Sequence, residues 1–272
     1  MPPGDLVRAA IANEVAAAIN TVVKHMFLSR TQNAKGSQTK LYVETNDAVA
    51  GMLVAINDQP LTPQQQQGET NHLAWLAGNP DALRKKQARE KDDADRSVRI
   101  LKALPDAFLY EYVGIENAAP GEGRAGSQLV RVKFRPNPSY APPTRAEQVL
   151  SAMQGFLLID AESNRLARID GTLFKDVTFG WGVIGRLDKG GHFLVKQAEA
   201  GDGTWDITEM NLNITGKILL FKTLSFVSDE VFSDFQRAPD NLPFAQGVEM
   251  LKTEQQRLAR SSRTAEPGNR NQ

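Results

Sequence analysis

The first third of the chain predicts one helix followed by three strands. Apolar residues recur every three or four positions over 5–19, which predicts a helix with Asp5 as its N-cap. Apolar and polar side chains then alternate with a period of two, as they do in half-buried strands. Short turns containing Gly or Asn separate the alternating segments. We therefore predict an antiparallel meander with strands over 22–31, 38–45 and 48–57.

A helical insertion is predicted over 62–104. Thr62 and Gln65 form a capping-box pattern around a proline at the first helical position, and Asn79 opens a second helix in the same way. The middle of that second helix, 84–97, is almost entirely charged. Such a run is typical of a solvated helix with charge pairs at i,i+4 spacing, and the alternative is a surface that docks a partner.

The β content becomes dense between Gln154 and Arg237. Several strands predicted there have ten or more residues, which exceeds the usual five or six, and long neighbouring strands twist and curl. We predict an α+β fold in which a strongly curved antiparallel sheet carries helices on its concave face. The other predicted elements are strands over 106–116 and 128–136, a short helix over 144–153 and a final helix over 243–262.

Composition excludes some classes of function. The 272 residues include 32 basic and 32 acidic side chains, so the formal net charge is zero and a nucleic-acid partner is not expected. Cysteine is absent, which excludes disulfides and thiolate chemistry. The three histidines, His25, His72 and His192, are far apart in sequence, and no metal site or cofactor is predicted.

No motif specifies a reaction. The glycine-rich run over 180–191 lacks a phosphate-loop signature, and no nucleophile elbow of the G-x-S-x-G type occurs. The weak candidates for catalysis are Asp170, Asp188 and His192, since a histidine near carboxylates can transfer protons. Each also fits an ordinary polar position at a strand end. Arg168 is expected to pair with Asp160 at one end of the sheet.

A set of aromatic side chains lies on the long C-terminal strands. Apolar pockets and filled cores have the same composition, so these rings are expected either to pack in a core or to line a ligand cavity. The predicted ligand-binding residues are Phe179, Trp181, Phe193, Trp205, Phe221 and Phe226.

Four segments carry a family resemblance: GFLLIDAESNRLARIDGTL, GRLDKGGHFLVKQ, GDGTWDITEMNLNITGKILLFKTLS and EVFSDFQR. They resemble a family of uncharacterised bacterial envelope proteins, similar to the LolA/LppX-like proteins that sort outer-membrane lipoproteins. The resemblance covers Met26 to Arg237. It implies a half-open β-barrel capped by helices, with an apolar cavity for acyl chains. It also implies a single LolA-like domain over 1–262. The tail over 263–272 is expected to be disordered, as chain termini often are.

The resemblance leads to a functional hypothesis. We expect a monomeric binding protein that holds a lipid acyl chain or another apolar small molecule, with a membrane surface or a protein as a further partner. The alternatives are an enzyme that uses the same cavity with Asp and His groups, and an envelope interaction module without a ligand. A periplasmic or outer-membrane-associated location is expected. The N-terminus lacks the features of a secretion signal, so a cytoplasmic location stays open.

Overall fold

The computed structural model describes residues 1–20, 23–180, 184–201, 203–218 and 222–265. Within these ranges the helices are α1 Pro3–Ile19, α2 Pro63–Ala77, α3 Pro80–Ala107, α4 Arg145–Gln148 and α5 Phe244–Ala265, and a 3-10 turn follows α4 at Val149–Ala152. The strands are β1 His25–Asn33, β2 Gly36–Val43, β3 Ala50–Ile56, β4 Gln59–Pro60, β5 Phe108–Asn117, β6 Gln128–Pro136, β7 Met153–Asp160, β8 Arg165–Leu173, β9 Val177–Phe179, β10 Gly185–Leu187, β11 His192–Glu199, β12 Trp205–Ile218 and β13 Lys222–Arg237.

The strands form one antiparallel sheet that does not close into a barrel. Their order is β4-β3-β2-β1-β13-β12-β11-β8-β7-β6-β5, with β10 attached to β12 and β9 attached to β10. The two ends of this path are the edge strands β4 and β5. The prediction of an α+β fold built on an open antiparallel sheet is therefore confirmed, as is the meander of β1, β2 and β3.

Capping residues predicted from the sequence lie where several of the helices begin. Thr62 accepts a hydrogen bond from the backbone N–H of Gln65, and the reciprocal bond completes the capping box of α2. Several predicted ends are displaced. Helix α1 begins at Pro3 with Pro2 as its N-cap, so the prediction of Asp5 as the cap is wrong, and Asp5 lies in the first turn. Helix α3 passes Leu104 and ends at Ala107, and β12 continues past Gly216 to Ile218 because Gly216 pairs with Leu224 in the sheet.

The described residues divide into two compact units. The first comprises those of Met1–Thr21 and Asp93–Val231, and the second those of Val22–Asp92 and Phe232–Gln272. In the second unit, α2 and α5 pack on β3 around Met52, Leu73 and Phe244. The sequence-based prediction of a single domain over 1–262 stays a prediction. Residues 263–265 of the predicted tail belong to α5, and 266–272 lie outside the described residues.

The first unit has a sheet with two different faces. Alternate residues of β6 and β7, such as Val132 and Leu157, join the large core cluster with α1 and the end of α3. We call this the inner face. The other face, the outer face, carries a smaller cluster made by Leu129, Leu158 and Ala167. Side chains alternate in this way because the pleat of a strand points successive residues to opposite sides.

A close backbone approach between β7 and β8 depends on glycine. A Cβ atom placed on Gly155 would lie 1.9 Å from the carbonyl oxygen of Asp170. We expect Gly155→Ala to lower the free energy of unfolding by about 2–3 kcal/mol, because the strands must separate locally to admit the methyl group. The matched control is Gly114→Ala in β5, where a Cβ atom meets nothing within 4 Å. Urea denaturation measures both variants, and an equal loss in the two would contradict this expectation.

Candidate functional site

A cavity of about 620 Å³ lies inside the first unit. Its walls come from α1, from α3, from α4 with the following turn, and from β5, β6, β7, β8, β11 and β12. Six neighbouring strands contribute to this lining, which agrees with the curved sheet that the sequence predicts.

The strand register explains which side chains reach the cavity. Val195 of β11 pairs with Ile169 of β8 on one side and with Met210 of β12 on the other. Directly paired residues in an antiparallel sheet share a face, so these three apolar side chains form a continuous row. All three line the cavity, together with Phe193 two residues earlier on β11. The inner face of the sheet thus supplies an apolar floor.

Helix α3 supplies the facing wall. Ile100, Leu101 and Leu104 line the cavity, at the helical spacing that places side chains on one stripe. The ring of Tyr110 lies beside them, and its hydroxyl donates a hydrogen bond of 2.6 Å to the carbonyl oxygen of Leu104. Burial raises the pKa of Tyr110, and the nearby charge of Asp106 raises it further. The phenol is therefore neutral.

The acidic group at the cavity wall is already neutralised by the protein. Glu14 of α1 is buried, and its carboxylate accepts hydrogen bonds of 2.8 and 3.0 Å from the guanidinium of Arg165. It also accepts one of 2.8 Å from the backbone N–H of Leu166. A buried carboxylate costs little only when it is paired and hydrogen-bonded, and Glu14 meets both conditions.

The other polar lining groups are also partnered. The guanidinium of Arg168 binds Glu122 on the outer face, with a hydrogen bond of 2.8 Å, and Gln197 donates one of 2.6 Å to the carbonyl oxygen of Leu166. On α3, Arg96 pairs with Asp93, and the hydroxyl of Ser97 donates to the carbonyl oxygen of Asp93. The wall consequently offers apolar contact and few free polar groups. That chemistry suits an apolar molecule.

Of the residues predicted to bind a ligand, Phe193 lines the cavity. Phe179 lies in a separate groove of about 400 Å³ beside β10. Trp205 packs with the small outer cluster, with the Arg165 guanidinium 5.2 Å from its ring centre. Phe226 pairs with Ile214, a lining residue, but is 52% exposed. Trp181 and Phe221 lie outside the described residues.

The three candidate catalytic residues do not line the cavity. The imidazole Nε2 of His192 lies 3.0 Å from Oδ1 of Asp170, so these two side chains meet. They do so on the outer face, because Phe193 and Val195 point inward from the same strand as His192. Asp188 instead accepts hydrogen bonds from Arg186 and Thr215. The geometry gives no support to an enzyme that uses these groups in this cavity.

The predicted pairing of Arg168 with Asp160 is wrong. Asp160 is fully buried and binds Arg124, whose Nε and terminal nitrogen donate hydrogen bonds of 2.8 and 3.1 Å. Arg168 binds Glu122. Both of these partners, Arg124 and Glu122, lie in the loop 118–127, which crosses the outer face. The loop is joined to β11 by a hydrogen bond of 2.8 Å from the backbone N–H of Gly123 to the carbonyl oxygen of Gln197.

The described residues contain no group of three or more His, Cys, Asp or Glu side chains that could hold a metal ion. No helix in that part of the chain is long and apolar enough to cross a membrane.

The fold and cavity define an α+β protein with a half-open apolar cavity. No protein-family model matches the chain, and no curated protein matches it. Among solved structures, a similar one is the crystal structure of a DUF1329 family protein from Desulfovibrio piger ATCC 29098. The two chains are 9% identical, the match covers 87% of this chain and 94% of that chain, and the TM-score is 0.31. A match at that TM-score does not establish a shared fold or function.

Proposed function

We propose that this chain is a binding protein that holds a lipid acyl chain or another apolar small molecule in the cavity of its first unit. The observation that carries the proposal is a half-open cavity of about 620 Å³ whose polar wall groups are bound to other protein groups. Ligand cavities typically have volumes of about 300–1,000 Å³ and mostly apolar linings. The row formed by Ile169, Val195 and Met210 would contact the ligand directly.

The expected affinity follows from the surface that such a ligand would bury. Removing about 300 Å² of apolar ligand surface from water contributes about 7 kcal/mol at about 25 cal/mol per Å². Immobilising the ligand opposes part of this gain. Dissociation constants of about 10 μM or weaker are therefore expected, since 1 μM corresponds to about 8 kcal/mol and 1 mM to about 4 kcal/mol. Because the cavity wall offers no unpaired charge, the length and shape of the ligand's acyl chain should affect affinity more than the ligand's head group does.

The test is the identity of what the protein carries when it is recovered from cells. We expect native mass spectrometry of the purified chain to show a bound apolar molecule, released by organic solvent and replaced by a fluorescent fatty-acid probe. Recovery of the full natural protein in the periplasmic fraction tests the location that the family resemblance implies. A ligand-free protein that also fails to bind the probe would contradict the proposed function.

A further inference from the structure

A second groove lies on the opposite side of α3 from the cavity. It has a volume of about 610 Å³ and belongs entirely to the first unit. Arg99 and Lys102 line this groove, whereas Ile100 and Leu101 of the same helix line the cavity. Glu147 of α4 forms the base of the groove. This groove is distinct from the proposed apolar site, and binding in the groove does not depend on binding in the cavity.

The carboxylate of Glu147 is buried without full compensation. The residue is only 4% exposed, and its Oε2 has no hydrogen-bond partner among the described residues. Its own backbone N–H is used by the cap of α4, donating to the hydroxyl of Thr144 at 3.3 Å. A buried carboxylate oxygen without a donor is costly, and such groups are rare in folded proteins. A ligand that brings an N–H donor with positive charge would compensate it.

Two cations stand at the rim of the same groove. Arg99 and Lys102 are exposed, and neither forms an ion pair with a carboxylate in the described part of the chain. Because they are three residues apart on a helix, their side chains are neighbours and can converge on one anion. Arg and Lys together are a common pair for phosphate, the first through its planar fork and the second as a point charge.

We propose that this groove binds a small zwitterion that carries a primary ammonium group and a phosphate. The ammonium donates hydrogen bonds to Glu147, and the phosphate lies between Arg99 and Lys102. Tyr140, which lines the groove, adds a neutral hydroxyl, because burial raises its pKa and the negative charge of Glu147 raises it further. The groove thus presents charges of both signs, Glu147 against Arg99 and Lys102, which suits a zwitterion better than a simple anion.

The direct test uses phosphoethanolamine as the probe and calorimetry on the full chain. We expect a dissociation constant of about 1 mM or tighter, and a loss of at least about tenfold in Glu147→Gln and in the double variant Arg99→Gln/Lys102→Gln. Arg89→Gln, which removes another exposed cation of α3, should leave binding unchanged. Phosphocholine lacks N–H donors and should bind at least about tenfold more weakly.

A stability measurement separates ligand binding from a structural role of Glu147. Without the probe, Glu147→Gln should raise the melting temperature by about 2–4 °C, because it removes a buried charge that lacks a donor. A lower melting temperature would mean that Glu147 stabilises the free protein, and would contradict the proposal. So would unchanged phosphoethanolamine binding in Glu147→Gln, or no binding to the unmodified chain at about 10 mM.

Comparing vesicle binding with binding of the soluble probe identifies the natural source of the zwitterion. Binding to vesicles of phosphatidylethanolamine, but not of phosphatidylcholine, identifies a lipid head group as the natural source. Binding of the soluble probe alone identifies a free phosphorylated amine. The Val195→Trp variant, altered in the apolar cavity, should bind phosphoethanolamine normally, so that failure of the cavity proposal and failure of this one give different results.

Discussion

Val195→Trp is expected to abolish retention of an apolar ligand. Val195 lies between Ile169 and Met210 in the sheet, and all three side chains line the cavity. An indole at this position projects into the space that the ligand would occupy. We expect the dissociation constant for a fluorescent fatty-acid probe to rise at least about a hundredfold, which corresponds to about 2.7 kcal/mol. The fold should be retained, because the added volume enters empty space and not a filled core.

The matched control is Leu194→Trp, one residue earlier on the same strand. Leu194 pairs with Asp170 and Asn211 and is absent from the cavity lining, so its side chain lies on the outer face. Probe titration should give the same dissociation constant for this variant as for the unmodified chain. Equal weakening by both tryptophans would indicate a general loss of structure. Equal affinity in both would exclude the cavity as the binding site.

Asp160→Asn should cause the largest loss of stability, about 3–5 kcal/mol in the free energy of unfolding. The Asp160 side chain is fully buried, and both of its oxygens accept hydrogen bonds from Arg124. One oxygen also accepts from the backbone N–H groups of Glu162 and Ser163, at 3.1 Å each. An amide removes the negative charge and turns one acceptor into a donor that faces a guanidinium.

This ion pair should also make stability depend on pH. Burial by itself raises the pKa of Asp160, but the hydrogen bonds from Arg124 and from the N–H of Ser163 outweigh it and hold that pKa below its ordinary value. A folded pKa below the unfolded value of about 3.9 gives stabilisation that is complete above that value. It is lost as the pH falls through the folded pKa. Acidification from neutral pH should therefore destabilise the unmodified chain more than Asp160→Asn.

Urea denaturation at neutral and acidic pH measures both effects. The control is Asp106→Asn, which removes an exposed partner of Arg8, with side chains 66% and 61% exposed. Surface ion pairs contribute little, about 0–1 kcal/mol, so this variant should unfold almost like the unmodified chain. Comparable losses of unfolding free energy in Asp160→Asn and Asp106→Asn would show that burial does not determine how much the Asp160 ion pair stabilises the fold.

Local signals in the sequence were sufficient to predict most elements of the fold. The strand predicted over 128–136 coincides with β6, and the cap at Thr62 starts α2 as expected. These signals are local, since they depend on alternation of side chains or on groups within one helical turn. The partner of Asp160 could not be predicted in this way. Arg124 is 36 residues away, in a loop whose path over the sheet depends on the folded structure.

The cavity was only partly predictable for a related reason. The predicted ligand-binding residues were all aromatic, yet much of the cavity lining is aliphatic, including Val195, Met210 and the α3 residue Ile100. Aliphatic positions of a cavity wall and of a filled core have the same sequence pattern. One signal was available. His192 and Phe193 are adjacent in a strand, so they point to opposite faces and could not both line one cavity.

The alternation along β11 also constrains how this gene can change. Deleting one codon within the strand would exchange the two faces beyond that point, placing residues such as His192 and Lys196 in the cavity and Phe193 and Val195 outside. Deleting two codons would preserve the faces while shortening the strand. Lineages of such a protein should thus vary in length at the turn Ala161–Asn164 or by pairs of residues within strands, and ligand preference should change through side-chain substitutions on one face.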